Sequence, residues 1–165
     1  MKMKKNGIAI VPGSFDPITY GHIQVVRQAL ERFDSVYLAV MINPEKRYLF
    51  TLDQRVTIAR AALKDMPGVS VISSEGMLWE LSEKLGADAI VKGYRNEKDY
   101  AYELEMAQYN NAHCRAQTLL LPSGKALEGL SSTIVRERIR SHLPLDGYLP
   151  EAAIEEIGKI IPAVL

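Results

Sequence analysis

Short apolar runs rich in β-branched residues recur along this chain, and stretches with helical periodicity separate them. The runs occupy residues 8–11, 36–42, 69–72, 89–91 and 118–121. Strands that are apolar on both faces are typical of a parallel sheet with helices on each side, and right-handed crossovers join such strands. The alternation therefore predicts an α/β fold, a doubly wound sheet of about five parallel strands with flanking helices.

The stretches between the apolar runs contain helix signals. Ile23 and Val26 lie on one stripe of a helix expected near residues 21–32, and Thr51 with Gln54 forms a capping-box pattern. Further helices are expected over residues 79–85 and 97–112, from near Ser131, and over the last 17 residues, 149–165. A chain of 165 residues fits one domain with a single core, so residues 1–165 are predicted to form one domain.

Charge and cysteine content narrow the functional classes. The 20 Lys and Arg residues balance the 20 Asp and Glu residues, so no global field attracts nucleic acid or an anionic membrane. Cys114 is the only cysteine and cannot form an intramolecular disulfide. The first apolar run is too short for a signal peptide, and no stretch approaches the roughly 20 apolar residues of a membrane span. These features predict a cytoplasmic protein without nucleic-acid or membrane partners.

The densest candidate for a functional site is VPGSFDPITYGH, residues 11–22, which follows the first predicted strand. In a Rossmann-like doubly wound sheet, ligands bind beyond the carboxyl ends of the strands, where helix N-termini present free N–H groups. We expect Gly13 to let the backbone turn sharply and Gly21 to leave room beside His22. The segment lacks the Gly-rich dinucleotide and P-loop patterns, so it predicts a different kind of anion site.

Three consecutive hydroxyl residues, Ser131, Ser132 and Thr133, mark the start of a later helix, and Arg136 follows one turn on. Hydroxyls at such a position cap the free N–H groups of the helix. The same hydroxyls and N–H groups, aided by the helix dipole, are suited to hold the β- and γ-phosphates of a nucleotide. The two interpretations are compatible.

Both segments resemble signatures of the nucleotidyltransferase superfamily. Residues 12–22, PGSFDPITYGH, resemble its Thr/His-x-Gly-His signature. Residues 130–137, LSSTIVRE, resemble its second signature, a Ser-Ser-Ser/Thr helix start followed by a basic residue. The two motifs occur in the expected order and roughly 110 residues apart, which argues against chance agreement.

Two further segments narrow the resemblance to the bacterial phosphopantetheine adenylyltransferase family. Residues 43–56 resemble its Asn-Pro-x-Lys-x-x-x-Phe-x-x-x-x-Arg stretch, and residues 91–110 resemble its Arg-Gly-Leu-Arg…Asp-Phe-x-Tyr-Glu segment. The similarity covers essentially the whole chain. It implies that ATP and 4′-phosphopantetheine react to give dephospho-coenzyme A and pyrophosphate, the penultimate step of coenzyme A synthesis. The acceptor phosphate would attack the ATP α-phosphorus in line, without a covalent enzyme intermediate.

The resemblance also implies roles for individual residues of this chain. Catalytic roles fall to His22, Lys46 and Arg95. Contacts to the acceptor fall to Ser14, Lys46, Leu78 and Lys92. Contacts to ATP fall to Ser14, Phe15, His22, Gly93, Tyr94, Arg95, Glu103, Leu127, Glu128, Gly129, Leu130, Ser131, Ser132 and Thr133. The family further implies Mg²⁺ held mainly by the ATP phosphates, no protein metal site, and a homo-oligomer, a hexamer built as a dimer of trimers.

Two departures from the family pattern bear on the ligands. Lys92 stands where the family ordinarily has Arg, and residues 124–130 lack the aromatic residues usual in that loop. Arg grips a phosphate with a planar pair of donors and Lys with a mobile point charge, so we expect a weaker or differently shaped acceptor site. Two other functions stay open: a nucleotidyltransferase that uses nicotinamide mononucleotide or an alcohol phosphate, and a non-catalytic nucleotide-binding module.

Overall fold

The computed structural model describes residues 7–123 and 129–164. These residues form a five-stranded sheet in the order β3-β2-β1-β4-β5, and every neighbouring pair of strands is parallel. The strands are β1 (Ile8–Gly13), β2 (Ser35–Met41), β3 (Val69–Ser74), β4 (Ala89–Tyr94) and β5 (Gln117–Pro122). Each apolar run forms a strand, so the predicted α/β class and parallel sheet are confirmed.

The order of the strands reverses direction between β1 and β4. From β1 the chain runs outward through β2 to β3, then crosses back to β4 and continues to β5 on the other side. Ile10 of β1 pairs with Tyr37 on one side and with Ile90 on the other. Neighbouring parallel strands whose connections lead in opposite directions leave a crevice beyond their carboxyl ends, where ligands bind in open α/β sheets.

Six α-helices are present in the described part of the chain. They are α1 (Tyr20–Leu30), α2 (Leu52–Ala62), α3 (Leu78–Leu85), α4 (Glu97–His113), α5 (Ser132–Arg140) and α6 (Glu151–Ile160). The predicted capping box begins α2: the Gln54 amide donates to Thr51 Oγ1 at 3.2 Å, and the Thr51 amide donates to Gln54 Oε1 at 3.0 Å. These two bonds satisfy N–H groups that the first turn of a helix leaves free.

Apolar side chains cover both faces of the sheet. Ala9 and Val11 of β1 belong to the larger core cluster, which also contains residues of α1, α2, α5 and α6. Ile10 belongs to a smaller cluster, against which residues of α3 pack. Because successive strand residues face opposite sides, this division follows directly from burial of both faces. Each fully buried Ile or Val stabilises the fold by about 1.5–3 kcal/mol, which holds the strand ends in place.

Helix α4 differs from the others because it leaves several large apolar side chains exposed. They are Tyr100, Tyr102, Leu104, Met106 and Tyr109. Contiguous exposed apolar patches are uncommon on monomeric proteins and mark surfaces that contact something else. None of the helices in residues 7–123 and 129–164 has the length and apolar character needed to cross a membrane.

Candidate active site

A cavity of about 840 Å³ opens at the carboxyl ends of β1 and β4, where the strand order reverses. Its lining comes from the turn after β1, the loop after β2, the end of β4, one side of α4 and the first turn of α5. The volume lies in the range of small-molecule sites. The crevice expected beyond the first strand is therefore present.

Most of the residues to which the resemblance assigns roles line this one cavity, including His22 and Lys46 from different elements. They are Ser14, Phe15, His22, Lys46, Leu78, Lys92, Gly93, Arg95, Glu103, Leu130, Ser131, Ser132 and Thr133. Tyr94 and Gly129 do not contribute to the lining. Tyr94 instead packs its ring against Tyr100, with the ring centroids 4.9 Å apart. Leu127 and Glu128 lie outside the described residues.

The turn between β1 and α1 bends at Phe15. The φ angle of Phe15 is 47°, in the left-handed region, whereas Gly13 is not among the residues with positive φ. The left-handed residue of this turn is therefore Phe15 and not Gly13. A Cβ atom on Gly13 would lie 2.9 Å from Cζ of Phe15, so this glycine makes room for the aromatic ring. A left-handed bulky residue costs about 1–2 kcal/mol, and such residues cluster at functional sites.

The His22 imidazole is held in one orientation and one tautomer. The Thr19 amide donates to His22 Nδ1 at 3.0 Å, so Nδ1 carries no proton and the proton lies on Nε2. The Phe15 ring meets the imidazole edge to face, with centroids 5.0 Å apart. Burial, together with the charges of Arg95 and Lys92, lowers the pKa of His22 to about 4. His22 is therefore a neutral donor at physiological pH.

Gly93 brings β4 and α1 into close contact. A Cβ atom at this position would lie 2.5 Å from Cγ2 of Val25, which lies on α1 one turn after His22. A larger residue would push the end of β4 away from the helix that carries the imidazole. Gly93 therefore sets the distance between His22 and the basic residues Lys92 and Arg95.

The basic residues at the end of β4 are paired with carboxylates of α4. Lys92 Nζ lies 3.2 Å from Glu103 Oε2. Arg95 Nε lies 3.0 Å from Asp99 Oδ2, and the Arg95 amide donates to the same oxygen at 3.3 Å. Asp99 was not identified in the sequence, although it lies in the first turn of α4, where the helix dipole favours an acidic residue.

All three hydroxyls at the start of α5 take part in contacts within the protein. Ser131 Oγ accepts from the Ile134 amide at 3.2 Å and caps the helix. Ser132 Oγ donates to the carbonyl of Pro17 at 2.8 Å. Thr133 Oγ1 accepts from Arg136 Nη2 at 3.1 Å. The capping interpretation is confirmed for Ser131. Only Ser132 donates its proton in these bonds, so the hydroxyls of Ser131 and Thr133, like the N–H groups of the first turn, still have protons to donate to a bound anion.

Asp16 connects the β1–α1 turn to two other parts of the cavity. Its buried carboxylate accepts from the amides of Leu49 and Phe50 at 2.9 and 3.0 Å. Its backbone carbonyl accepts from Arg136 Nη1 at 3.0 Å. Asp16 was not singled out in the sequence, because its partners lie more than 30 residues away and leave no local pattern.

Arg55 and Tyr48 form a second support that sequence reasoning missed. Arg55 is buried, and its Nη1 donates to the carbonyls of Ser14 at 2.8 Å and Met41 at 3.0 Å. It thereby ties the end of β1 to the end of β2. Its guanidinium lies over the Tyr48 ring, 3.9 Å from the centroid. Arg55 is the final residue of the 43–56 pattern, which was the available signal, whereas nothing in the sequence pointed to Tyr48.

The charge of the lining favours an anionic ligand. The described lining contains more basic than acidic side chains: Lys46, Arg47, Lys92, Arg95 and Arg136 against Asp16, Asp99 and Glu103. Clefts with an excess of one charge concentrate ligands of the opposite charge. Within residues 7–123 and 129–164, no group of three or more His, Cys, Asp and Glu side chains is arranged to hold a metal ion. The lining therefore suits an anionic ligand better than a cationic one.

Sequence comparison shows that the profile of the cytidylyltransferase-like family matches residues 10–138. This match agrees with the parallel sheet, with the cavity where the strand order reverses and with the donor His22. The chain belongs to this family. Among its relatives are proteins named phosphopantetheine adenylyltransferase. That of Flavobacterium psychrophilum is 40% identical over 87% of this chain and 95% of its own length. Those of Cutibacterium acnes and Frankia casuarinae are 41% and 39% identical, over 78% and 92% of this chain and 82% and 96% of theirs.

Proposed function

We propose that this protein transfers the adenylyl group of ATP to 4′-phosphopantetheine and releases pyrophosphate and dephospho-coenzyme A, a step of coenzyme A biosynthesis. One observation carries the proposal: the neutral donor His22 and the cations Lys46 and Lys92 line the same cavity, which lies where the strand order reverses. Relatives named for this reaction, aligned over most of the chain, support the choice of substrates.

The attacking group in this reaction is the phosphate of the acceptor. A phosphate monoester carries about −1.5 to −2 charge at pH 7, so it attacks without a general base. What it needs is alignment with the α-phosphorus of ATP and positive charge that offsets repulsion between the two phosphates. Ser14, Lys46 and Lys92 supply these contacts, and Leu78 contacts the pantetheine arm. No covalent enzyme intermediate forms.

His22 stabilises the charge that develops on the α-phosphate. Its Nε2–H donates to a non-bridging oxygen of that phosphate, and the bond strengthens as negative charge accumulates. The Thr19 amide keeps the proton on Nε2, and burial keeps the ring neutral. The donor therefore needs no reorientation when the reaction occurs.

The remaining ATP contacts come from β4, α4 and the start of α5. We assign the β- and γ-phosphates to Arg95 and to the N–H groups of residues 131–133. The wider ATP site takes in Phe15, Gly93 and Glu103 and, by resemblance, residues 127–130. The resemblance also assigns Tyr94 to this site, although its ring packs against Tyr100 and does not line the cavity. Arg95 shares its charge with Asp99, so it adjusts to bound phosphate by weakening that pair.

Mg²⁺ fits this site as an ion carried by ATP. The carboxylates in the described lining are already engaged, Asp16 with two amides, Asp99 with Arg95 and Glu103 with Lys92. We therefore propose that the ion binds mainly through the ATP phosphates. When bound, Mg²⁺ supplies positive charge to the departing pyrophosphate.

Pyrophosphate release with purified protein, ATP and Mg²⁺ tests the proposal. The acceptors are 4′-phosphopantetheine, nicotinamide mononucleotide and glycerol 3-phosphate, with pantetheine as the matched compound that lacks the phosphate. We expect release with 4′-phosphopantetheine alone. Turnover only with the second or third acceptor would contradict the substrate assignment and favour another nucleotidyltransferase. ATP binding in calorimetry with no turnover on any acceptor would favour a non-catalytic nucleotide-binding module.

Three further properties belong to the same proposal. We propose that residues 1–165 act as one domain in the cytoplasm, without nucleic-acid or membrane partners. We also propose a homo-oligomer, a hexamer by resemblance to the family. The exposed apolar side chains of α4 that lie outside the cavity, Tyr100, Leu104 and Tyr109, support contact between subunits. Sedimentation equilibrium measures the number of subunits, and a monomer at micromolar concentration would contradict the oligomer.

A further inference from the structure

Tyr48 occupies a defined position in the wall of the cavity. It follows Lys46 by two residues in the loop after β2, and both residues line the cavity. The Asn43 amide donates to Tyr48 Oη at 2.7 Å, and the Arg55 guanidinium lies over the ring, 3.9 Å from its centroid. A short hydrogen bond and a stacked cation restrict the ring, so the hydroxyl points in a fixed direction.

The hydrogen bond from Asn43 leaves the proton of Tyr48 Oη to be donated elsewhere. A phenol can accept at its oxygen and donate its proton at the same time. A hydrogen-bond partner for this proton is Ser14 Oγ at 3.4 Å, a long separation for an O–H···O bond, which is usually 2.5–3.0 Å. Ser14 also lines the cavity, at the end of β1. A better acceptor placed between Ser14 and Lys46 would take this proton.

The electrostatic surroundings make the phenol a stronger donor than an ordinary tyrosine. Burial raises the pKa of Tyr48, but hydrogen bonds with Ser14 and the Asn43 amide and the charges of Arg55 and Lys46 outweigh it and lower the pKa. A more acidic hydroxyl donates more strongly, and hydrogen bonds to charged phosphate oxygens are the strongest of their kind in proteins.

We propose that Tyr48 Oη donates a hydrogen bond to the phosphate of the acceptor, between Ser14 and Lys46. Tyr48 is then a fourth contact to the attacking group, beside Ser14, Lys46 and Lys92. This inference rests on the proposed adenylyl transfer, because that reaction requires a phosphate monoester in this part of the cavity. Tyr48 holds the phosphate in place and takes no part in proton transfer.

Tyr48→Phe tests this contact because it keeps the ring beneath Arg55 and removes only the hydroxyl. We expect the KM for 4′-phosphopantetheine to rise roughly 10-fold, with kcat and the KM for ATP changed less than about 2-fold. Tyr37→Phe is the matched control, since Tyr37 packs in the smaller core cluster and does not line the cavity. An unchanged acceptor KM in Tyr48→Phe, or an equal rise in the KM for ATP, would overturn the proposal.

A spectroscopic titration separates direct contact from a loosened loop and does not depend on turnover. The difference in phenolate absorbance between wild type and Tyr48→Phe reports the pKa of Tyr48. We expect 4′-phosphopantetheine to raise this pKa, because a bound dianion disfavours a phenolate, and pantetheine to leave it unchanged. Equal effects of the two compounds, or none, would contradict the contact. If the shift occurs but wild type releases no pyrophosphate, the proposed reaction fails while the Tyr48 contact stands.

Discussion

The two walls of the cavity hold their functional groups by different means. On the wall formed by β1 and α1, His22 is oriented by a backbone amide and the Ser14 carbonyl is anchored by buried Arg55. On the wall formed by β4 and α4, Lys92 and Arg95 are held by carboxylates, and their side chains are 27% and 39% exposed. Backbone contacts change only if the fold changes, whereas partly exposed ion pairs exchange partners readily.

The difference between the walls fits the roles that we propose for their residues. A donor that stabilises developing charge acts best when it is already oriented, because it then pays no cost of reorganisation. Cations that bind and release a polyanion must instead move between the ligand and a resting partner. The carboxylates of Glu103 and Asp99 are such partners. We therefore expect substitutions in the first wall to reduce turnover and those in the second wall to alter binding.

The largest expected effect is that of His22→Ala, in the wall formed by β1 and α1. We expect kcat to fall roughly 10²–10³-fold or more while the dissociation constant for ATP changes little, because this contact matters chiefly in the transition state. Single-turnover kinetics and calorimetry measure the two quantities. His142→Asn is the control, since His142 does not line the cavity. Near-normal turnover of His22→Ala would remove the imidazole from the mechanism.

Lys46→Ala tests the contact with the acceptor phosphate. Loss of one charged contact to a phosphate typically costs about 1.5–3 kcal/mol, so we expect kcat/KM for 4′-phosphopantetheine to fall roughly 10- to 100-fold. Steady-state kinetics with ATP in excess measures this value. Lys64→Ala, at an exposed position outside the cavity, removes the same charge and serves as the control. A fall below about 3-fold would mean that Lys46 does not contact the acceptor.

Asp99→Asn tests the wall formed by β4 and α4, where we expect a smaller effect on kinetics. Partly exposed ion pairs contribute about 0.2–1 kcal/mol, so the KM for ATP should change less than about 5-fold and kcat should stay close to that of wild type. Initial-rate measurements over a range of ATP concentrations give both values. A loss of kcat comparable to that of His22→Ala would contradict the distinction between the walls.

The smallest expected change is that in the protonation of His22 over the physiological pH range. Because its folded-state pKa is lowered to about 4, the imidazole stays neutral as the pH falls from 8 to 5. The unfolded chain binds this proton near pH 6.5, so stability linked to the neutral ring is present above that pH and lost as the pH falls towards 4. Nitrogen NMR of the imidazole in the free protein measures both the tautomer and the pKa. Titration near pH 6.5 would contradict a desolvated donor.

The fold was largely predictable because it depends on local patterns. The apolar runs at 8–11 and 89–91 carry no polar face, which only a sheet buried on both sides accommodates. The pairing of β1 with β4 depends on contacts between residues about 80 positions apart, and no local pattern encodes it.

The site was predictable only where a motif marks it. His22 and the hydroxyls of residues 131–133 stand out from their spacing, and Lys46 and Lys92 came from the resemblance. Asp16 and Tyr48 could not be predicted from the sequence, because their roles arise from bonds that join separate loops. Gly13 was expected to let the backbone turn sharply, whereas the left-handed residue of the turn is Phe15, whose ring is buried.

The most direct test of the account is a crystal structure of the protein with a non-hydrolysable ATP analogue and 4′-phosphopantetheine. We predict that both ligands occupy the same cavity, with the acceptor phosphate against Lys46 and the α-phosphate within hydrogen-bond distance of His22 Nε2. The attacking oxygen should lie in line with the bond to the leaving pyrophosphate. An acceptor phosphate bound outside the cavity, or an imidazole with Nε2 directed away from the α-phosphate, would contradict the account.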